Sequence, residues 1–81
     1  MRKLLVGEAL CQTLQARYYL LEEEGEKAVS YGVRIEMEEE EASVANLSPS
    51  RQRTWELAER LVRGVVTPVA LRDAVDDWLL E

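Results

Sequence analysis

From Val29 to Met37 apolar and polar residues alternate without a break. Val29, Tyr31, Val33, Ile35 and Met37 fall on one side, and Ser30, Gly32, Arg34 and Glu36 on the other. Five apolar positions at period two define a strand with one buried face and one wet face; a helix would scatter them around its axis. Such a strand cannot stand alone. It needs paired neighbours and a cover for its greasy side.

The segment RYYLLEEEGEK before it reads as a second strand running into a turn at Gly25. A two-residue loop at Gly25-Glu26 pairs Tyr18 with Val33 and Leu20 with Tyr31 on the core side. The same register sets Tyr19 over Gly32 on the outer side, where an aromatic ring shields exposed strand backbone. Leu21 shares that outer face. The first 14 residues fit two patterns. Leu4, Cys11, Leu14 and Tyr18 would line a helix, whereas Leu4, Val6 and Leu10 would line a strand. The need of the next strand for a neighbour favours a strand over about residues 3–9, then a turn. After the glutamates at 38–41, ASVANL reads as a short fourth strand.

The second half follows a helical period. Ser48-Pro49 supplies an N-cap and a first-turn proline. Trp55, Ala58, Leu61 and Val62 then recur at intervals of three and four. Gly64 fits the left-handed position past a helix end. Thr67-Pro68 caps a last helix striped by Leu71, Ala74, Val75 and Trp78. The expected fold is therefore α+β in a single domain over residues 1–81. An antiparallel sheet of three to four strands (about 3–47) precedes a C-terminal αα-hairpin (about 48–81) packed on one face. Both tryptophans are expected in the core, where truncation to alanine costs about 3–5 kcal/mol each.

Charge narrows the function. The net charge is −6, unevenly placed, and residues 48–63 hold four arginines against two glutamates. The segment RGVVTPVALRDAVDDWLL has the outline of a helix-turn-helix. Its second helix, however, offers Pro-Val-Ala-Leu where a DNA reader needs Arg, Lys, Asn or Gln, and then three aspartates. An acidic chain also repels phosphate backbones, so nucleic acid is not an expected partner. No apolar run approaches the roughly 20 residues of a membrane span, and Glu8 interrupts the only stretch resembling a leader.

Catalytic equipment is sparse. There is no histidine, and the single Cys11 excludes both an internal disulfide and a Cys/His zinc site. Cys11 has no neighbouring base to make it a nucleophile. Glu38–Glu41 lacks the staggered ligands and glycine turn of a calcium loop. Asp73, Asp76 and Asp77 read as a solvated helix side. The expectation is a chain that is not an enzyme and carries no cofactor, no metal and no small-molecule substrate.

Two surfaces remain as interface candidates. Leu5, Tyr19 and Leu21 form an apolar patch on the outer face of the sheet, suited to a homodimer through that face or an edge strand. Arg53, Arg60 and Arg63 share an exposed helix face, either a solvated face with local ion pairs or a dock for an acidic partner.

The segments RYYLLEEE, VSYGVRIE and GVVTPVALRDAVDDWL, in that order, resemble a small domain-of-unknown-function family from Gram-positive, clostridial-type bacteria. The resemblance runs from about Tyr18 to Leu79. It implies strands before helices and a bacterial cytoplasmic setting, and it implies no activity. The expected function is a non-enzymatic protein-interaction or small regulatory module, with a homodimer as one form. The alternative is an acidic nucleic-acid mimic or inhibitor that occupies a basic groove.

Overall fold

A computed structural model describes residues 1–81. The chain forms β1 (Arg2–Cys11), β2 (Leu14–Glu24), β3 (Val29–Glu36) and β4 (Glu41–Ser48), then α1 (Arg51–Arg63) and α2 (Leu71–Leu79). A 3-10 turn, Pro68–Ala70, leads into α2. The strands pair in sequence order β1-β2-β3-β4, every pair antiparallel, so β1 and β4 are the two edges. The fold is α+β, with a four-stranded antiparallel sheet and two helices.

The alternation in β3 does what its period requires. Val33 and Ile35 are fully buried and share one core with Ala16 and Tyr18 of β2. Leu57, Ala58 and Leu61 of α1 and Leu71, Val75 and Trp78 of α2 complete that core. α1 touches all four strands, while α2 touches α1, β4 and the 3-10 turn. At β1 the approach is close: a Cβ on Gly7 would sit 3.0 Å from a methyl of Val62. Tyr18 is wholly buried, and its hydroxyl donates to the Val66 carbonyl at 2.8 Å, tying the sheet to the turn after α1. Burial raises the Tyr18 phenol above its usual range, with the nearby Cys11 adding to the rise.

Several details depart from the sequence reading. The β2–β3 loop spans Gly25 to Ala28, closed by a 2.8 Å bond from the Gly25 amide to the Ala28 carbonyl. The register is therefore Tyr18 with Ile35 and Leu20 with Val33, two residues from the expectation. A slip of two keeps every side chain on its face, so the core survives the error. Tyr19 consequently lies opposite Arg34, and Leu21 lies opposite Gly32.

Gly32 has a different neighbour from the aromatic shield expected. Three residues of β4 oppose it, because Tyr31 pairs with Ser48 and Val33 with Val44. Asn46 takes a left-handed φ of 55° within this bulge, a conformation asparagine tolerates better than most residues. A Cβ on Gly32 would fall 2.2 Å from the Val44 carbonyl oxygen, so only glycine fits there.

The helix termini also differ. Ser48 is still in the ladder opposite Tyr31, and the N-cap is Ser50, whose side chain accepts from the Arg53 amide at 3.2 Å. After α1 it is Val65, at φ 48°, that turns left-handed, while Gly64 keeps a right-handed helical conformation. The Val65 amide donates to the Val62 carbonyl (3.1 Å) and the Val66 amide to Leu61 (3.0 Å), the paired bonds of a Schellman motif. Thr67 makes no side-chain cap bond.

The α1 stripe is rotated from expectation. Thr54, Leu57, Ala58 and Leu61 are buried, and Trp55 is half-exposed outside the core cluster. Trp78 is buried at 7% exposure. Thr54 is satisfied inside the core by a 2.9 Å bond to the Ser50 carbonyl.

Candidate interaction surface

β1 pairs with β2 on one side and with nothing on the other, over ten residues. Its inner neighbours are Leu4 with Leu20 and Gly7 with Tyr18, and a one-residue bulge at Val6 separates the two halves. Because the bulge shifts the side-chain parity, Lys3 and Leu5 before it share the outer face with Glu8 and Leu10 after it. Leu5 is 50% exposed and Leu10 is 70% exposed.

The structure brings Leu5, Tyr19 and Leu21 onto that outer face, with Leu5 directly opposite Tyr19 and Lys3 opposite Leu21. They do not form one open patch. Leu21 is only 4% exposed. The Lys3 ammonium stands 4.5 Å over the Tyr19 ring and 2.7 Å from Glu36. Arg34 reaches Glu36 at 2.6 Å and Glu41 at 2.5 Å, completing a charged lattice across β1, β3 and β4. Hydrogen bonds from Lys3 and then Arg34 hold the Glu36 carboxyl below the usual carboxylate range. The Glu36 bond in turn raises the Arg34 guanidinium. Charge covers the middle of this face, and open apolar surface survives only along β1.

The arginines divide in the same way. Arg53 stacks over Trp78 at 5.1 Å, and Arg60 grips Glu81 at the C-terminus through two bonds, one of 2.9 Å. Arg53 therefore fastens α1 to α2, and Arg60 fastens it to the residue that follows α2 by two. Arg51 lies 5.9 Å over the Trp55 ring. Of the four arginines of α1, Arg63 alone has neither a carboxylate nor a ring. It sits at the β1 edge, where Val6, Glu59, Val62 and Arg63 line a hollow of about 160 Å³.

The sequence reading missed Val6, Leu10, Glu59 and Val62 as surface elements. A signal for Leu10 was present, since it falls at strand period beside Glu8. Nothing local in the sequence marks which strand ends a sheet. Elsewhere a polar hollow of about 380 Å³ opens between the β1–β2 turn and the end of β3, lined by Thr13, Leu14, Gln15, Arg17, Glu36, Met37 and Glu38. Arg17 there already faces Glu8 at 3.8 Å. Asp73, Asp76 and Asp77 are exposed on α2. No helix is long and apolar enough to cross a membrane.

No curated protein and no solved structure shows significant similarity to the chain. A family model described as a family of unknown function (DUF6514) matches residues 5–81, and the chain belongs to that family.

Proposed function

We propose that the protein is a non-enzymatic protein-interaction module, a small regulatory domain of a Gram-positive, clostridial-type bacterial cytoplasm, that docks through the free edge of β1. The carrying observation is a ten-residue edge strand with an open backbone, flanked by exposed Leu5 and Leu10 on one side and the Val6–Val62 hollow on the other. An unpaired edge is a template for another strand: backbone bonds give affinity and alternate side chains give specificity. In this reading the two C-terminal helices act as a hairpin that roofs the opposite face and leaves β1 for the partner.

The other edge is poorly suited to the task. β4 is broken by its three-against-one bulge and the left-handed Asn46, and it follows the acidic Glu38–Glu41 run. The acidic-mimic alternative draws on the net charge of −6. Its carboxylates are dispersed over the β2–β3 turn, the β3–β4 turn and α2, whereas a basic groove asks for one continuous row.

The test compares wild type with Leu5→Glu/Leu10→Glu for self-association by sedimentation and for capture of other proteins. Association of either kind that the double variant loses supports the proposal. A wild type that neither self-associates nor captures anything the variant does not capture overturns it.

A further inference from the structure

We infer that the occupant of the β1 edge is a second copy of this chain, paired antiparallel across a two-fold axis near Val6. The inference rests on the docking role proposed for β1 and goes on to name the partner.

Three observations select a copy over an unrelated strand. The first is the charge at the rim of the hollow. Glu59 and Arg63 lie one helical turn apart beside Val6 and Val62, and Arg63 has no partner within its own chain. A two-fold axis near Val6 turns one α1 end to face the other, so Glu59 of each copy meets Arg63 of its mate. The pair is thus complementary to its own image, and symmetry makes the contact twice.

The second observation is the strand itself. β1 begins with Arg2 and Lys3 and carries Glu8 past its bulge. Antiparallel pairing centred near Val6 brings the basic end of each strand beside Glu8 of the other. Lys3 lies on the same outer face as Glu8 and is the basic residue that meets it, while Arg2, on the other face, stays 3.6 Å from Glu22. Parallel pairing would align like charges instead.

The third is closure. Two copies joined at β1 make one eight-stranded antiparallel sheet whose only remaining edges are the two blunted β4 strands. A two-fold contact uses up the sticky edge and stops there, which an open head-to-tail arrangement does not. Leu5 and Leu10 of both copies are then covered along the seam.

The experiment is a charge-swap series read by sedimentation equilibrium, with thermal melts confirming that each variant folds. Glu59 and Arg63 are both exposed on α1, so the single substitutions leave the core intact. Arg63→Glu and Glu59→Arg each place like charges across the axis and are expected to weaken the dimer about tenfold. The double variant Glu59→Arg/Arg63→Glu restores opposite charges and is expected to return to near wild-type affinity.

A double variant weaker than either single one overturns the inference, as do single variants that match wild type. A wild type that stays monomeric, yet captures another protein through Leu5 and Leu10, overturns self-pairing and leaves the docking role standing. A monomer that captures nothing overturns both.

Discussion

Replacing Gly32 with alanine is expected to be the most damaging single-methyl change in this chain. The added Cβ would lie 2.2 Å from the Val44 carbonyl oxygen and 2.8 Å from the Ala45 Cα, both backbone atoms of the β4 bulge. Carbon contacts settle near 3.5–4.0 Å, so β4 must retreat by about 1 Å. That retreat strains the ladder on both sides of the bulge, where Tyr31 pairs with Ser48 and Val33 with Val44. Two lost backbone hydrogen bonds at about 1 kcal/mol each, with about 1–3 kcal/mol for overpacking, give a cost of about 3–5 kcal/mol.

Gly7→Ala is the control. Its Cβ would meet only the Val62 side chain, at 3.0 Å, and methyl groups can give way where backbone cannot. A cost of about 1 kcal/mol or less is expected, partly offset by the stiffer unfolded chain. Thermal unfolding followed by circular dichroism separates the two. At about 4–8 °C per kcal/mol, Gly32→Ala lowers the midpoint by at least about 12 °C and Gly7→Ala by less than about 8 °C. A Gly32→Ala variant within about 1 kcal/mol of wild type would show that the β4 bulge does not press on β3 as described.

Three further outcomes follow from the geometry. Trp78→Ala should cost about 3–5 kcal/mol as an emptied core site, whereas half-exposed Trp55→Ala should cost about 1 kcal/mol; equal losses in urea unfolding would contradict the rotation of α1. Tyr18→Phe removes the bond to the Val66 carbonyl and should cost about 1–2 kcal/mol. Because the folded phenol titrates above the ordinary value of 10.0, its contribution is whole below that pH and fades as pH rises through the folded value. The variant should therefore lose the alkaline fall-off that wild type shows. The Glu36 carboxyl has the opposite sign: its folded value lies below the ordinary 4.5, so its contribution is present above that pH and lost in acid. Glu36→Gln should be less stable at neutral pH and flatter in the acid limb, and an unchanged acid limb would refute the ion-pair lattice.

The sequence made the sheet legible because strand periodicity is a local property. The alternation from Val29 to Met37 located β3, and the same reasoning found β2 and a short β4. Which residues pair across a turn is set by loop geometry, and a four-residue loop closed by Gly25 and Ala28 replaced the two-residue one. The core faces were right because the error was two residues and not one. Helix caps were harder. Ser48 and Ser50 flank the same proline, and only the β ladder, which holds Ser48, decides between them. The left-handed Val65 defied the glycine rule for a similar reason: the Schellman bonds, together with Val66 docked on Tyr18, fix that turn.

Trp55 illustrates a separate limit. Trp55 and Leu57 both lie on plausible helical stripes, and packing against four strands chose Leu57. The surface was the least legible part. Leu5, Tyr19 and Leu21 do share a face, yet Lys3, Arg34 and Glu36 converge on it from distant positions, which no local spacing announces. Arg53 and Arg60 read as a solvated face with local ion pairs or a dock for an acidic partner, and they are fastened to Trp78 and Glu81, contacts no local spacing announces.

Self-pairing through the β1 edge is tested most directly by amide hydrogen exchange, residue by residue, at low and high protein concentration. The amides of β1 that point away from β2 should exchange fast in dilute solution and slow markedly as concentration rises, while the outward amides of β4 stay fast throughout. Outward amides of β1 that exchange as fast as those of β4 at every concentration would contradict the self-pairing of this chain.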